Sequence, residues 1–450
     1  MNIMKTFTFR GGIHPKDRKE RSRGKKIEFF YPSTNSVTIP VTMGGSPNTP
    51  IVNVGDQVIK GQVIANGSGP ISCPVHASIT GTVKKITSHI IPGGAEVPCI
   101  IIEENKENPD REKTMYMDIL DPFSCTREQA IERIKEAGIT GMGGASFPTH
   151  VKFNYPATAK IEHLIINAAE CEPYLTIDET VLNEKIDSVL DGIQIAQHIV
   201  NAPAIIALEA NKSFLLKSIQ EKIEQLSKEN KLKHKIEVCI VKTKYPQGAE
   251  KNLITALTKK EVPSGSLPFQ TGCIICNVGT TVAISESFRL GKPLIERPLT
   301  ISGDGCSTPM NIMVPIGTLI KDLIPNPIQL ENNVIKILNG GPMMGMAMPS
   351  ADFPVQKGTS GVLFLTEKES PVLNPMPCIS CGKCIEACPM QLEPVLMARA
   401  INSDEIEESK KRGLLDCIEC GSCSYVCPSD VPLVQTFKLG KKILRDKKGK

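Results

Sequence analysis

A cysteine motif that occurs twice near the C-terminal end constrains the fold more than any other feature. The sequence CISCGKCIEACP, which begins at Cys378, returns as CIECGSCSYVCP at Cys417. Three thiolates at this spacing can hold one corner of an iron–sulfur cubane, but a fourth on the same short turn cannot reach the last iron. The fourth cysteine, turned away by the following proline, therefore ligates the other cluster. The spacing predicts two 4Fe–4S sites, one formed by Cys378, Cys381, Cys384 and Cys427 and the other by Cys388, Cys417, Cys420 and Cys423.

Two other uses of these cysteines fit less well. Zinc sites would leave the Cys-Pro at the end of each motif without a purpose, whereas bacterial two-cluster ferredoxins carry this whole pattern. A disulfide framework requires an oxidising compartment, and the opening MNIMKTFTFRGG contains no apolar signal-peptide core. The remaining cysteines suit a reducing cytoplasm. We therefore expect a protein that moves single electrons.

Size and composition limit the remaining possibilities. A chain of 450 residues should form about three domains, at ~150 residues each. No apolar run approaches the ~18 residues of a membrane span, which predicts a soluble or peripheral protein. A net charge of +4 argues against nucleic-acid binding. The basic stretches 16–26 and 441–450 are interpreted as solvated termini, with docking to an acidic ferredoxin or to anionic lipid as the alternative.

The sequence of the first third of the chain predicts short β-strands. Residues 35–110 alternate apolar and polar positions with glycine at the corners, and they resemble the barrel-sandwich hybrid of biotinyl and lipoyl carrier domains. Carriers present a modifiable lysine at a hairpin tip, but the matching tip at 75–78 has none. This region is therefore expected to be a structural or docking module. Residues 1–34 are an N-terminal extension.

The middle of the chain predicts an α/β domain over residues 120–298. Thr126 and Gln129 form a capping box before a helix at 126–138. Strands predicted at 161–167, 204–208 and 236–241 alternate with helical stretches such as 213–226. This alternation favours a mostly parallel sheet with helices on its faces.

Three further regions complete the predicted order of domains. Residues 299–345 form a smaller α+β unit that contains the sequence GGPMMG, whose methionines are interpreted as gap fillers and not as metal ligands. Residues 346–370 are a return segment. Residues 371–440 form the cluster domain, with helical structure between the motifs at 392–415. Cys273 and Cys276 are expected in the core.

A glycine-rich loop and three strand ends are the candidate ligand site. The loop carries Gly141, Gly143 and Gly144, and Lys152 follows it as a counter-charge. It comes after a helix, so it does not match a Rossmann fingerprint, and a phosphate cradle and a tight turn both remain open. The strand ends contribute Asn167, Glu170, Glu172, Gly248, Glu250, Asn277 and Thr280. Ligands gather at such ends in open α/β sheets.

These segments also carry a resemblance to a known family. Residues 141–152, 167–173, 248–250 and 277–280 resemble the flavin-contacting segments of the NADH-binding flavoprotein subunit of respiratory complex I. With FRGGIHP at 9–15, YPQGAEK, GGPMMG and both cysteine motifs, nearly the whole chain resembles the C subunits of Rnf electron-transport complexes. Three positions, Met142, Ser146 and Ala169, differ from the complex I pattern.

The resemblance implies a cofactor site and a β-grasp module. It places Gly141, Gly143, Gly144 and Lys152 at the phosphate of FMN. It places Asn167, Glu170 and Glu172 at the ribityl and nicotinamide region, with Gly248, Glu250, Asn277 and Thr280 completing the pocket. Residues 299–345 resemble the β-grasp soluble-ligand-binding domain of the same subunit.

The implied function is electron transfer between NAD(H) and ferredoxin through FMN and two 4Fe–4S clusters. The chain would be a peripheral subunit of an ion-translocating complex on the cytoplasmic side of the bacterial inner membrane, with other subunits and ferredoxin as partners. No acid–base catalytic residue is needed. Two alternatives remain: a cobalamin reductase of bacterial microcompartments, and a non-enzymatic iron–sulfur relay or assembly scaffold, which Ser146 and Ala169 would favour.

Overall fold

The computed structural model describes residues 6–448 except 68, 106, 108, 110 and 111. The predicted boundary at 110, the first five residues of the extension and the last two of the basic tail therefore lie outside the described residues. In the described part of the chain, no helix is long and apolar enough to cross a membrane.

The N-terminal third forms two small antiparallel sheets. The strands of this region are β1 (Ile27–Phe29), β2 (Ser36–Pro40), β3 (Thr49–Pro50), β4 (Gln57–Val58), β5 (Val63–Asn66), β6 (Val75–His76), β7 (Gly81–Ile90) and β8 (Glu96–Glu103). Strand β1 belongs to a third sheet, described below, and the other seven form the two small sheets. One sheet has the order β2-β8-β7-β4 and the other β3-β5-β6. Alternate apolar side chains such as Val37, Ile39 and Ile100 fill the space between the sheets because successive residues of a strand face opposite sides. The predicted barrel-sandwich architecture is confirmed.

The segment 75–78, however, is not an exposed tip. His76 is 5% exposed and Ser78 is fully buried. The Ser78 hydroxyl donates to the Ile316 carbonyl oxygen at 2.5 Å. Contacts with distant segments cover this hairpin, which the local sequence pattern could not reveal.

The second domain alternates helices and strands. Its elements are α1 (Arg127–Glu136), α2 (Thr149–Phe153), β9 (His163–Ala168), α3 (Ile177–Glu184), α4 (Ile186–Val200), β10 (Ala204–Glu209), α5 (Leu216–Lys228), β11 (Ile236–Val241), α6 (Glu250–Thr258), β12 (Cys273–Asn277) and α7 (Val278–Arg289), with 3₁₀ turns at Ala210–Leu215 and Pro268–Thr271. The predicted capping box is present, since the Thr126 hydroxyl accepts from the Gln129 amide and the Gln129 side chain accepts from the Thr126 amide. Cys273 and Cys276 are buried in the core, as expected.

All strands of this domain are parallel, in the order β11-β10-β9-β12. The chain builds outward from β9 to β11 and then returns to place β12 on the other side of β9. The strand order therefore reverses between β9 and β12, and Asn167 and Asn277 are register partners there. Such a switch point, at the carboxyl ends of the strands, is where open α/β sheets bind ligands.

The third unit is a six-stranded mixed sheet. It contains β13 (Glu296–Ser302), β14 (Met310–Pro315), β15 (Lys336–Asn339), β16 (Met346–Met348), β17 (Gly361–Leu365) and a 3₁₀ turn at Ile320–Leu323. The order is β1-β14-β13-β17-β15-β16. Two predicted boundaries need correction: 346–370 is not a return segment, because it supplies β16 and the fully buried β17, and the N-terminal extension supplies β1. Pairing between strands so far apart in sequence leaves no local signal.

The C-terminal domain is helical, as predicted. Its helices are α8 (Lys383–Ala387), α9 (Pro394–Asn402), α10 (Ile406–Lys411), α11 (Ser422–Tyr425) and α12 (Leu433–Lys448). Met397, Leu414 and Phe437 are fully buried at its centre. The two cysteine motifs repeat in conformation as well as in sequence: Gly382 and Gly421 precede α8 and α11 with φ of +78° and +82°.

Residues 7–23 run along the second domain and are called the strap below. The Phe7 amide donates to the Ile240 carbonyl oxygen at 2.9 Å, and Ile13 pairs with Tyr245 in both directions. Lys19 is 1% exposed. The interpretation of this basic stretch as a solvated terminus is therefore wrong for Lys19, whose charge is matched inside the protein.

Candidate functional site

Two asparagines hold the switch point of the parallel sheet. The Asn167 amide group donates to the Gly248 carbonyl oxygen at 2.8 Å. The Asn277 side chain caps α7 by accepting from the Gly279 amide at 2.8 Å, and its amide group donates to Asp178 at 2.7 Å. The N-terminus of α7, next to Asn277, carries the partial positive charge of the dipole of a 12-residue helix. Predicted residues from separate strand ends are thus brought to one edge.

The glycine loop lies above this edge. The Met142 amide donates to the Thr280 hydroxyl at 3.0 Å, and the Arg297 guanidinium donates to the Met142 carbonyl oxygen at 2.8 Å. A Cβ placed on Gly143 would lie 3.7 Å from the Asn277 side chain. Gly144 has φ of +110° and open space where a Cβ would stand. The loop therefore presents bare backbone beside a helix N-terminus, which is a fitting cradle for phosphate.

Ser146 shows how the loop is held. Its φ of +51° lies in the left-handed region that glycine adopts most easily. A Cβ on Gly44 would lie 1.8 Å from the Ser146 carbonyl oxygen, and one on Gly358 would lie 2.1 Å from its hydroxyl. Ser146 is therefore in close contact with Gly44 of the barrel-sandwich domain and with Gly358, which lies just before a strand of the six-stranded sheet. The departure from glycine is accommodated by these contacts.

Lys152 already has an anionic partner. Its ammonium group forms an ion pair with Glu250 and also donates to the Ile275 carbonyl oxygen at 3.3 Å. The Glu250 side chain is 43% exposed. The two predicted residues therefore lie together, but a phosphate would have to compete with Glu250 for Lys152.

Charged residues are buried around Glu170. Lys19 donates to the Glu170 carbonyl oxygen at 2.8 Å and lies 3.8 Å from its carboxylate. Lys212 is paired with Glu209 at 2.7 Å, and both side chains are at most 2% exposed. One Glu170 oxygen, Oε1, accepts from the Asp178 amide at 3.1 Å, while Oε2 is buried with no hydrogen-bond partner. This oxygen lies 3.8 Å from the Lys19 ammonium.

Burial changes the acidity of these neighbours. It lowers the pKa of Lys19, and the nearby Lys212 lowers it further. Burial and the proximity of Glu170 raise the pKa of Asp178, and burial lowers the pKa of Arg297 to about 10. The site predicted from the sequence lacks four residues that the structure adds: Lys19, Lys212, Asp178 and Arg297. Asp178 stands only eight residues after Glu170, which could have drawn attention to it.

Glu172 has a different environment from the one expected. Its carboxylate accepts from the backbone amides of Met343 and Met344 at 3.0 and 2.9 Å. It also lies 3.5 Å from the Tyr245 hydroxyl, which donates to the Cys420 carbonyl oxygen at 2.7 Å. Burial raises its pKa to about 7, although these donors lower it. Glu172 therefore binds the backbone of the GGPMMG loop. The backbone of that loop, and not methionine sulfur, makes these contacts.

The second cysteine set lines one pocket in the cluster domain. Its lining includes Cys388, Cys417, Cys420 and Cys423, with Leu392, Met397 and Phe437 as apolar walls. Burial raises the pKa of Cys423 to about 12, and the neighbouring Cys420, Cys417 and Cys388 thiols contribute to the rise. Thiols so close together and so far from water need cations to become thiolates, and iron in a cluster supplies them.

The first cysteine set is more open. Cys378 and Cys381 are exposed, while Cys384 and Cys427 are half-buried. Burial raises the pKa of Cys384, and Cys378 contributes to the rise. The Ser380 amide donates to the Cys378 sulfur at 3.4 Å, and the Glu419 amide does the same for Cys417. Among the described residues, no three His, Cys, Asp or Glu side chains form a group that could hold one metal ion; cubane ligands surround a larger cage.

Three family models match the chain. They are the RnfC barrel sandwich hybrid domain over residues 7–107, the Nuo51 FMN-binding domain over 134–286 and the 4Fe-4S dicluster domain over 370–428. The second range contains every predicted flavin residue, and the third contains all eight motif cysteines.

Curated relatives are similar over most of their length. The C subunit of the proton-translocating ferredoxin:NAD(+) oxidoreductase complex of Clostridium ljungdahlii is 41% identical over 416 residues, which are 91% of this chain and 88% of that protein. The Na(+)-translocating counterpart of Acetobacterium woodii is 38% identical over 92% of each chain. The C subunit of the ion-translocating oxidoreductase complex of Rhodobacter capsulatus is 37% identical over 99% of this chain and 85% of that one.

Solved structures show the same fold at low identity. A crystal structure of an NAD+-reducing [NiFe]-hydrogenase in the H2-reduced state matches with a TM-score of 0.53 and 16% identity. The match covers 74% of this chain and 69% of the hydrogenase chain.

Proposed function

Because the chain belongs to the family of C subunits of ion-translocating ferredoxin:NAD(+) oxidoreductase complexes, we propose that it transfers electrons between NAD(H) and ferredoxin as a peripheral subunit of such a complex. The observation that carries the proposal is the presence, in one chain, of an open glycine loop at a sheet switch point and a cavity lined by four cysteines. The names of the relatives agree with this function and not with a cobalamin reductase or a scaffold.

FMN fits the switch point. When bound, it would exchange a hydride with the nicotinamide and single electrons with iron–sulfur clusters. The proposed contacts are Gly141, Gly143, Gly144, Lys152, Asn167, Glu170, Gly248, Glu250, Asn277 and Thr280, with Asp178 and Arg297 added from the structure. The loop backbone and the α7 N-terminus would bind the phosphate, while the buried charges fix Glu170 and the sheet edge. Glu172 is left out because its carboxylate is engaged elsewhere.

Two 4Fe–4S clusters fit the C-terminal domain. The proximity of Cys388 to Cys417, Cys420 and Cys423 supports the crossed ligand sets predicted from the motif spacing. Cys378, Cys381, Cys384 and Cys427 would hold the other cluster. We further propose that the sheet from β13 to β17 is the β-grasp soluble-ligand-binding domain, and that the chain lies on the cytoplasmic side of the bacterial inner membrane.

Cofactor counting tests this proposal. After anaerobic purification, each chain should contain about eight iron and eight sulfide, as two cubanes require, and one flavin. Acid precipitation should release the flavin, which should chromatograph as FMN because the site offers one phosphate cradle. A protein with both clusters but no flavin would be a relay scaffold, and FAD or flavin retained on the pellet would contradict the FMN assignment.

A matched glycine pair tests the position of the flavin. A Cβ on Gly248 would lie 2.2 Å from the Ala169 carbonyl oxygen, so Gly248→Ala should displace the sheet edge and lose flavin while keeping iron. Gly265 is exposed, with open space around its Cβ position and φ of +70°, so Gly265→Ala is a control that adds backbone strain away from the sheet edge. Equal flavin content in both variants would place the flavin elsewhere.

A further inference from the structure

Tyr245 connects the second domain to one of the two cluster sites. It is 1% exposed, and its hydroxyl donates to the Cys420 carbonyl oxygen at 2.7 Å. The strap holds the Tyr245 backbone, since Ile13 and Tyr245 exchange amide–carbonyl hydrogen bonds of 2.8 and 2.9 Å. Glu172 stands 3.5 Å from the same hydroxyl. A fully buried tyrosine with a partner on each side fixes the distance between the elements it joins.

Three further contacts reach the same cluster site. The Gly12 amide of the strap donates to the Ala387 carbonyl oxygen at 2.9 Å, and a Cβ on Gly11 would lie 2.4 Å from the Cys388 carbonyl oxygen. On the opposite side, a Cβ on Gly421 would lie 3.1 Å from the Met343 carbonyl oxygen. These glycines let three backbones approach closely. The contacts fall beside Cys388 and Cys420, which both belong to the second cysteine set.

The other cluster site faces outward. Cys378 and Cys381 are exposed, and Ile379 between them is 67% exposed. The two sites therefore differ in position although their sequences repeat. One is enclosed between the cluster domain and the flavin domain, and the other opens to the surface.

We propose that Tyr245 is a positioning residue that holds the cluster of Cys388, Cys417, Cys420 and Cys423 against the flavin domain, and that this inner cluster exchanges electrons with the flavin before the outer one does. In each transfer the flavin would lose one electron and the inner cluster would gain it, and the inner cluster would then pass that electron to the outer cluster. NADH supplies electrons in pairs as hydride, and the reduced flavin releases its protons to solvent. The inference rests on the proposed function.

Tyr245→Phe tests the positioning role in the whole chain. Tyr425→Phe is the matched control, because Tyr425 lies beside cysteines of both sets but is 55% exposed. Both variants should keep iron and flavin and should bleach flavin with NADH at the wild-type rate. In Tyr245→Phe alone, the EPR signal of the inner cluster should shift. Its reduction by NADH should slow by up to about fivefold, since losing one hydrogen bond changes the equilibrium constant for docking of the two domains by about that factor. A shift confined to the outer cluster, or none, would overturn the assignment.

A pair of cysteine variants tests the order independently of whether Tyr245→Phe folds. Cys378→Ala should remove the outer cluster and leave fast NADH reduction of the inner one. Cys388→Ala should remove the inner cluster and abolish the fast phase at the outer one, whose EPR signal on dithionite reduction shows that it is still present. The two variants also assign each signal. If wild type shows no flavin bleaching, the proposed function fails; if wild type reacts and Cys388→Ala keeps the fast phase, only the order is wrong.

Discussion

At the scale of single residues, Glu170 illustrates how the fold sets the chemistry of a side chain. Glu170 follows β9 at the sheet edge. Its carbonyl oxygen accepts hydrogen bonds from the ammonium groups of Lys19 and Lys212, and its carboxylate accepts one from the Asp178 amide. The carboxylate keeps one oxygen without a hydrogen-bond partner. Removing one partner from such a buried group of charges leaves another charge uncompensated, which is strongly destabilising.

We expect Glu170→Gln to slow NADH-driven flavin bleaching by roughly 100-fold, the loss that a misplacement of about 1 Å can produce. Both cluster signals should remain, since the change lies at the sheet edge. Stopped-flow absorbance measures the effect. Glu162→Gln is the control because Glu162 is exposed and paired with Lys260 on the surface. Equal rates in the two variants would exclude Glu170 from the nicotinamide region.

At the scale of elements, β6 fastens the barrel-sandwich domain to the flavin domain. The Lys357 ammonium donates to the Pro74 and Gly138 carbonyl oxygens at 2.9 and 2.6 Å. His76 is buried beside it, and a Cβ on Gly138 would lie 3.1 Å from the His76 ring. Burial and the charge of Lys357 lower the pKa of His76 to about 3.

This histidine should make the protein sensitive to acid. Its pKa is lower in the folded state than in the unfolded state, so the unfolded state binds the proton first and stability falls as pH drops below about 6.5. Between pH 7 and pH 5 the loss should reach about 2 kcal/mol. His76→Gln, which cannot titrate, should remove this part of the acid sensitivity, while His14→Gln at an exposed position should not. Thermal melts at several pH values give the melting temperature as a function of pH. If the prediction is wrong, these curves will be parallel for wild type and His76→Gln.

At the scale of the whole molecule, the strap joins parts that lie far apart in sequence. It pairs with the edge of the parallel sheet, touches the cluster domain at Ala387 and places Lys19 under Glu170. The next residues continue as β1 along the six-stranded sheet. One short segment therefore holds three units in a fixed arrangement.

Lys19→Met should destabilise the site by about 3 kcal/mol, because it leaves the Glu170 carboxylate buried without its cation. Flavin release during urea titration measures the loss. Lys26→Met, at an exposed position of the same basic stretch, should change the midpoint little. A midpoint for Lys19→Met equal to that of wild type would show that Lys212 alone balances the charge.

Features with local signals could be predicted from the amino-acid sequence without the fold. Ligand spacing within each cysteine motif predicts the cluster sites, the alternation of helices and strands predicts the parallel sheet, and the Thr126 capping box predicts the start of α1. The resemblance to a flavoprotein family predicts FMN as the cofactor. Each of these depends on residues that are neighbours in the chain.

The partners that these features meet are visible only in the folded chain. The Glu172 carboxylate binds amides 171 and 172 positions away, Lys152 pairs with Glu250 at a separation of 98, and Lys19 reaches Glu170 at 151. The burial of β17 and the addition of β1 to its sheet are of the same kind. No local pattern records such contacts, because their free energy comes from desolvation and pairing between segments that meet only after the chain has folded.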